Sequence, residues 1–306
     1  MKDYHLHELS PDKFEELVIH ICRKILGAGV MNFSAGPDGG RDGKFEGTAN
    51  LFPSKNSPAV GKFIIQAKHT SNPVAKCSDA EFKNNVLKKE FPRIKNLKNQ
   101  GAADNYLLFT NRKLSGIEEP KLVAAIKKET GVANVWALGV ETIVLHLQDS
   151  PDIVKTMGLS QFQTPLRIFS QDIADVIKAF HAQKDGLSSK FDYTYTKIKK
   201  KNQINKLTVE YFKYIQQNSE PYFAEIQTFL GRPQNKQYED MYYAIANELK
   251  GKIITIRNQY GTFDEIMGLL YDTFVEKCPE LQNDKRRFVS VFLHYMYCSC
   301  DIGQKC

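Results

Sequence analysis

The pattern of the sequence changes near residue 164, and this change constrains the fold more than any other feature. Before it, apolar runs typical of strands alternate with amphipathic runs typical of helices; after it, only long helical patterns continue. Alternating helices and strands indicate helices packed on a mixed sheet. We therefore expect an α/β domain over residues 1–163, followed by an all-α domain over residues 164–306.

The first predicted helix begins at residues 10–12, where Ser-Pro-Asp combines a capping hydroxyl, a proline at the first helical position and an acid in the first turn. Its apolar residues recur at helical spacing to about Leu26, and Gly27 ends it. Glu15 lies at the border of the apolar stripe, whereas Glu16 lies nearly opposite and should face solvent. Glu15 is therefore the better candidate for a functional acid.

Further elements follow from periodicity and from glycine, proline and asparagine positions. In the first half, strands are predicted at residues 44–46, 62–69, 106–110 and 132–138, and helices at residues 79–99, 117–129 and 141–147. A polar stretch with two prolines is predicted to connect the first two strands. In the second half, helices are predicted at residues 169–184, 203–217, 221–230, 236–250, 262–277 and 284–297.

Three side chains near the second strand can support phosphate chemistry. Side chains alternate between the faces of a strand, so Gln66 and Lys68 share one face. Asp42 ends a glycine-rich turn that precedes the first strand, and glycines allow a phosphodiester or a metal to approach closely. One carboxylate, one amide oxygen and a backbone carbonyl suit Mg²⁺, with Mn²⁺ as a substitute. The lysine can then contact the phosphate and the attacking water.

The combined pattern resembles a known family of nucleases. Phe14-Glu15 on the first helix, Asp-Gly-Gly-Arg-Asp-Gly at residues 38–43 and Gln-Ala-Lys at residues 66–68 are similar to the Mrr-like branch of the PD-(D/E)xK nucleases, which have the restriction endonuclease fold. The resemblance covers about residues 10–150. It implies that Asp42, Gln66 and Glu15 bind the metal, that Lys68 is the catalytic lysine, and that the substrate is DNA.

Position 66 departs from the general pattern of these nucleases. Most relatives carry Glu or Asp there, although the Mrr-like branch accepts Gln, and one lost negative charge weakens metal affinity or shifts the requirement toward Glu15. Two alternatives therefore stay open beside the endonuclease. One is a DNA-binding module that does not cut, and the other is a partner-binding scaffold with a degenerate nuclease fold.

The second half resembles helical C-terminal regions of effectors in three-component defence systems built around an SMC-like ABC ATPase, often called Lamassu. This resemblance covers residues 165–306 and implies a bacterial anti-phage role. It also implies that the ATPase and a third accessory subunit hold the nuclease inactive, and that the chain forms a homo-oligomer when active.

Composition limits the environment and the partners. No apolar run is long enough to cross a membrane and the first residues lack a signal-peptide pattern, so a cytoplasmic protein without membrane contact is expected. The net charge of +7 permits a nucleic acid partner. Basic residues in the helix at residues 79–99 and at residues 197–201 could follow a DNA backbone, although such runs are usually solvated faces.

The remaining metal-ligand residues give a weaker signal. The six cysteines are sparse and irregular, which indicates reduced thiols rather than disulfides or zinc ligands. The three histidines near the start, at positions 5, 7 and 20, show no ligand spacing in the sequence. A zinc site is therefore not predicted.

Overall fold

The chain forms two compact units, Met1–Thr164 and Pro165–Cys306. The computed structural model describes residues 3–33, 42–160, 170–182, 198–278, 281 and 285–304. The first unit contains a mixed β-sheet flanked by helices, and the described residues of the second contain helices and no strand, as the sequence predicts. No helix among the described residues is both long and apolar enough to span a bilayer.

The sheet of the first unit has five strands in the order β1-β2-β3-β4-β5. Their bounds are Met31–Asn32, Gly43–Ser54, Ser57–Lys68, Asn105–Thr110 and Asn134–Leu138. The β1–β2 and β2–β3 pairs are antiparallel, whereas β3–β4 and β4–β5 are parallel. The central strand β3 carries both Gln66 and Lys68, so the sheet itself fixes their backbone positions.

Helices cover the two faces of this sheet. Their bounds are Pro11–Ile25 for α1, Lys88–Asn99 for α2, Glu118–Thr130 for α3, Val140–Gln148 for α4 and Pro151–Thr156 for α5, and a π-helical segment, Phe82–Leu87, leads into α2. One core joins α1, α4 and α5 to the sheet face that contains Phe63, Ile65 and Ala67. A second core joins α2 and α3 to the opposite face, around Ile64 and Tyr106.

The connection between the first two strands differs from the sequence-based prediction. Residues 47–61 belong to a long β2–β3 hairpin rather than to a polar loop. Its prolines face each other next to the turn, Pro53 opposite Pro58, where a missing backbone donor interrupts little of the ladder. The arm is largely exposed, so its side chains lack the apolar alternation that marks a half-buried strand.

The second unit contains seven helices in its described residues. They are α6 (Ser170–Ala182), α7 (Ile198–Asn205), α8 (Val209–Asn218), α9 (Phe223–Leu230), α10 (Lys236–Ile256), α11 (Phe263–Lys277) and α12 (Arg286–Cys298). The single helix predicted at residues 203–217 is divided into α7 and α8. Lys206 adopts φ 57°, and the Thr208 side chain caps α8 by accepting from the Tyr211 amide.

Lys201 in α7 is a core residue, whereas the basic run at residues 197–201 is expected from the sequence to form a solvated face that could follow a DNA backbone. Its exposed fraction is 0%, and its ammonium donates to the carbonyl oxygens of Tyr297 and of Ile302, the latter at 2.8 Å. The Tyr297 ring lies 4.2 Å from the same nitrogen. Burial lowers the pKa of Lys201 to about 8. This lysine therefore links α7 to the last turn of α12 and to the segment that follows α12.

Candidate functional site

Asp42 and Gln66 are in direct contact although they are 24 residues apart in the chain. Asp42 directly precedes β2, and the antiparallel register pairs Gly43 with Ile65, which sets Asp42 beside Gln66. The Gln66 amide nitrogen donates to Asp42 Oδ2 at 2.8 Å, and the Ala67 backbone amide donates to the same oxygen at 2.5 Å. The carboxylate is therefore fixed against the central strand by two donors.

The glycine after Asp42 favours this arrangement. A Cβ at position 43 would lie 2.6 Å from Ile19 Cδ1 and 3.0 Å from the Met31 carbonyl oxygen. A larger residue here would therefore require the Ile19 side chain and the β1 backbone to shift, so glycine favours the close approach of α1 and β1 to this turn. The preceding glycine-rich residues, including Asp38 and Arg41, lie outside the described residues.

Gln66 contributes an oxygen that lacks a hydrogen-bond donor. The side chain is 3% exposed, and its Oε1 atom is buried with no hydrogen-bond partner. A buried polar atom left unsatisfied costs about 1–3 kcal/mol. A divalent cation beside Asp42 would satisfy this amide oxygen, and carboxylate and amide oxygens are the ligands that Mg²⁺ and Mn²⁺ prefer. The donor set therefore fits such an ion.

Lys68 projects from the same face as Gln66 and meets an acid that the sequence pattern did not single out. Its Nζ atom lies 3.0 Å from Oε1 of Glu90 in α2. Glu90 is 4% exposed, and Arg93, one helical turn later, lies 3.2 Å from the same oxygen. Two cations thus share one carboxylate oxygen, while Glu90 Oε2 is buried without a hydrogen-bond partner.

The negative charges of Glu90 and Asp42 both affect the pKa of Tyr106. Tyr106 is fully buried in β4, and burial raises the pKa of its hydroxyl, with further contributions from the negative charges of Glu90 and Asp42. Both carboxylates are therefore within electrostatic range of one side chain. The candidate site consists of Asp42, Gln66, Lys68 and Glu90.

Glu90 left a signal in the sequence that was hidden by the basic residues around it. Ile94 and Leu97 form the buried stripe of α2, and Glu90 precedes them at i−4 and i−7, so an acid occupies an apolar position. An ionised side chain is seldom buried unless a partner compensates its charge. That position could have marked Glu90 as a partner for a basic residue of the sheet.

Glu15 lies at the border of the buried face of α1, as its helical position predicts. Its helix, however, does not pack on the sheet face that carries Gln66 and Lys68. Glu15 is half-buried, whereas Glu16 is exposed and pairs with Lys13 at 2.7 Å. α1 packs on the sheet face opposite to that of Gln66 and Lys68. The structure thus unites Asp42 with Gln66, and Lys68 with Glu90, while Glu15 belongs to the helix behind the sheet.

The start of α1 nevertheless lies at the end of β3 that carries the site. The ring of Phe14, the neighbour of Glu15, is 5.5 Å from the ring of His69, which directly follows Lys68. Asn111, after β4, exchanges two hydrogen bonds with the backbone of Thr70, at 2.9 and 2.7 Å. Residues on both sides of the sheet therefore fix the segment after Lys68. A ligand role for Glu15 stays a prediction.

Comparison with family models defines the class of the first unit. Residues 6–116 match a restriction endonuclease family, Mrr_cat, and the match spans α1, β1–β4 and the four candidate site residues. The predicted resemblance to Mrr-like nucleases is confirmed by this match. Over these residues the first unit is similar to restriction endonucleases.

A second family model matches most of the other unit. Residues 162–303 match C-terminal domain 12 of the ABC-three component (ABC-3C) systems. This match confirms the predicted association with a three-component ABC system. Searches of curated proteins and of solved structures give no significant match.

Proposed function

We propose that this chain is a divalent-metal-dependent DNA endonuclease and the effector of a bacterial anti-phage defence system. The observation that carries the proposal is the contact of Asp42 with Gln66 at 2.8 Å, with Lys68 on the same face two residues later. The match of residues 6–116 to a restriction endonuclease family supports the reaction class. The ABC-three component match supports the assignment to a multi-subunit system.

Asp42 and Gln66 are the proposed ligands of Mg²⁺, or of Mn²⁺ in its place. The fixed carboxylate supplies negative charge, and the buried amide oxygen of Gln66 supplies a neutral donor. Glu15 is retained as a third ligand candidate from the start of α1. When bound, the ion supplies an activated water and offsets charge on the scissile phosphate.

Lys68 is the proposed catalytic lysine. The reaction is hydrolysis: a water molecule loses a proton to solvent as its oxygen forms a bond to phosphorus, one P–O bond to a sugar oxygen breaks, and the departing oxygen takes a proton from solvent. Lys68 stabilises the negative charge that develops on the phosphate oxygens, which is worth about 2.7–4 kcal/mol per donor in other enzymes. Its side chain is 20% exposed, so the ammonium can reach a bound strand.

Glu90 is the proposed positioning residue for this lysine. A flexible lysine side chain loses rotamer freedom when it is held in one geometry, and a buried carboxylate at 3.0 Å holds it before substrate arrives. Arg93 on the same oxygen leaves Glu90 with two cationic neighbours, so Lys68 can turn toward phosphate without leaving a buried carboxylate unpaired.

The exposed face of α2 is the proposed contact for the DNA backbone. Lys88, Lys89, Arg93 and Lys95 are exposed on the helix that also carries Glu90. Phosphate contacts of this kind position a duplex and carry no base information. The logarithm of the DNA-binding constant falls as the logarithm of the salt concentration rises. Each lost contact should make this negative slope shallower by about 0.9.

The second unit is the proposed regulatory and assembly domain. Its partners would be an SMC-like ABC ATPase and a third accessory subunit, which hold the nuclease inactive in the Lamassu-like arrangement. Release would allow homo-oligomerisation and bring several active sites onto DNA. A nuclease that acts on host DNA requires such restraint.

The test is a cleavage assay with the full-length chain, without partner subunits, on plasmid, linear DNA and RNA. We expect plasmid cleavage with Mg²⁺ or Mn²⁺, none with excess EDTA, and strong loss in Asp42→Asn and Lys68→Ala. Lys62→Ala is the matched control, because Lys62 lies on the same strand and face but donates to the Gly101 carbonyl oxygen instead.

Three results would contradict the proposal. DNA that is bound but left intact with either metal, in every oligomeric state, would favour the binding module. A cellular defence phenotype that survives Asp42→Asn and Lys68→Ala would favour the partner-binding scaffold. Cleavage of RNA alone would overturn the DNA assignment.

A further inference from the structure

The segment before α1 brings three metal-ligating side chains together. His5, His7 and Glu8 lie in or next to a short 3₁₀-helix, Leu6–Glu8. One ring nitrogen of each histidine and one carboxylate oxygen of Glu8 all lie within 4.8 Å of one another. The sequence alone gave no ligand spacing for these histidines, because i, i+2 and i+3 positions converge only in this tight backbone.

The distances are close to those of a coordinated ion. His5 Nδ1 lies 3.8 Å and His7 Nε2 3.9 Å from Glu8 Oε1. With bonds of about 2.1 Å, ligand atoms in a tetrahedral zinc site lie about 3.4 Å apart. All three ligand atoms lie within 4.8 Å of one another, so they need to move closer together when an ion binds.

The surroundings are partly closed, as a bound ion requires. The Glu8 side chain is 5% exposed, and those of His5 and His7 are 14% and 13% exposed. Buried apolar residues before, within and after the 3₁₀-helix anchor the segment in the core: Tyr4, Leu6 and Leu9. The two rings remain reachable from solvent, which provides an entry path.

The backbone holds His5 in a conformation that non-glycine residues seldom adopt. Its φ and ψ are 49° and 44°, in the left-handed region, and its amide donates to Asp3 Oδ1 at 2.8 Å. This conformation directs the chain so that the rings of His5 and His7 lie 5.7 Å apart, centre to centre. The three side chains are thus arranged before any ion binds.

We propose that His5, His7 and Glu8 form a zinc site, separate from the nuclease site. Two imidazoles and one carboxylate suit Zn²⁺, whereas Mg²⁺ prefers oxygen ligands such as those of Asp42 and Gln66. Three protein ligands leave the fourth position to water. The inference does not depend on nuclease activity, because it uses other residues and another ligand chemistry.

The site would fasten the N-terminal segment to the end of β3. The ring of His69, the residue after Lys68, lies with Nε2 3.0 Å from the Leu6 carbonyl oxygen. Leu6 separates the two histidine ligands in the chain, so an ion held by them also fixes this contact. Zinc binding therefore stabilises the domain beside its catalytic lysine.

The experiment measures zinc in the full-length chain purified without a polyhistidine tag. In an Asp42→Ala background, which removes the proposed magnesium ligand, we expect one Zn²⁺ per chain by metal analysis after dialysis against Mg²⁺. At zinc roughly 100-fold above Kd, the first unfolding transition should rise by about 5 °C or more. His5→Gln and His7→Ala should each abolish both effects.

His20→Ala is the matched control, because His20 lies on α1 outside the cluster and its loss should leave zinc content and the zinc-dependent shift intact. Circular dichroism of each variant without metal checks that it folds, and Co²⁺ absorption reports the coordination geometry. Absence of bound zinc in the parent chain, or full retention in folded His5→Gln and His7→Ala, would overturn the site. Loss in His20→Ala as well would also overturn it.

Discussion

Two lysines, one in each unit, lie beside very different partners. Lys68 ends the central strand of the first unit, 20% exposed, 3.0 Å from the buried carboxylate of Glu90. Lys201 has an exposed fraction of 0%, donates to two backbone carbonyls, and has its pKa lowered by burial. In the sequence both are basic residues near other basic residues.

The difference shows that the partner, and not burial alone, decides what a lysine can do. Backbone carbonyls hold Lys201 permanently, and no substrate can replace them without opening the core. A carboxylate that Arg93 also contacts can release Lys68 to a phosphate. The contrast supports the proposed catalytic role of Lys68, whereas Lys201 is a structural residue of the core.

The largest expected effect separates activity from stability at Lys68. Lys68→Ala should lower DNA cleavage by about 100- to 1000-fold, because a charge-stabilising donor is lost from the transition state. The melting temperature should change little, since the ammonium is near the surface. A single-turnover cleavage assay beside a thermal melt checks both halves. If Lys68→Ala lost stability as much as it lost activity, Lys68 would be a structural residue like Lys201, and the contrast between the two lysines would be wrong.

Lys201→Ala should give the opposite pattern. Loss of the buried stem and of the donor to two carbonyls should lower the free energy of unfolding by about 3 kcal/mol. Denaturant titration measures this change, with Lys200→Ala as control, because Lys200 is exposed on the same helix. A folded, stable Lys201→Ala protein would show that the carbonyls find other donors.

Glu90→Gln sharpens the account of Lys68. The amide keeps the shape of the side chain but removes its charge, so we expect a roughly 10-fold fall in kcat, equal to about 1.4 kcal/mol, with little change in KM. Lys95→Gln is the control, because Lys95 is exposed on the same helix, and it should weaken DNA binding more than kcat. An unchanged kcat in Glu90→Gln, or a loss that lies in KM alone, would reject the positioning role.

The smallest effect concerns pH and Lys201. Its pKa falls from 10.5 to about 8 on folding, so the unfolded state binds more protons between these values and stability rises with pH. The rise from this group should be about 1 kcal/mol between pH 8 and 9. Denaturant midpoints of wild type and Lys201→Met at both pH values isolate it, since methionine does not titrate. Identical pH dependence would contradict a buried, titrating amine.

The sequence predicted those parts of the site that local patterns determine. Strand alternation put Gln66 and Lys68 on one face, and the turn chemistry identified Asp42. The fold class followed from the loss of strand patterns near residue 164. These features depend on residues close together in the chain.

The remaining parts depend on packing between distant segments. Glu90 reaches Lys68 only because α2 covers the β3 face, and Lys201 meets residues about 100 positions away. The β2–β3 hairpin lacks an apolar alternation because its arm is exposed. A pattern can mark a residue such as Glu90 as unusual for its position, but it does not show which distant residue the side chain contacts.

The central claim is that Asp42 and Gln66 form a divalent metal site beside Lys68. The most direct measurement is a crystal structure of the chain soaked with Mn²⁺, with anomalous diffraction to locate the ion. The account predicts a manganese peak in bonding contact with an Asp42 carboxylate oxygen and with Gln66 Oε1. Saturating Mn²⁺ with no peak at this pair, or a peak held by other residues of the first unit, would contradict it.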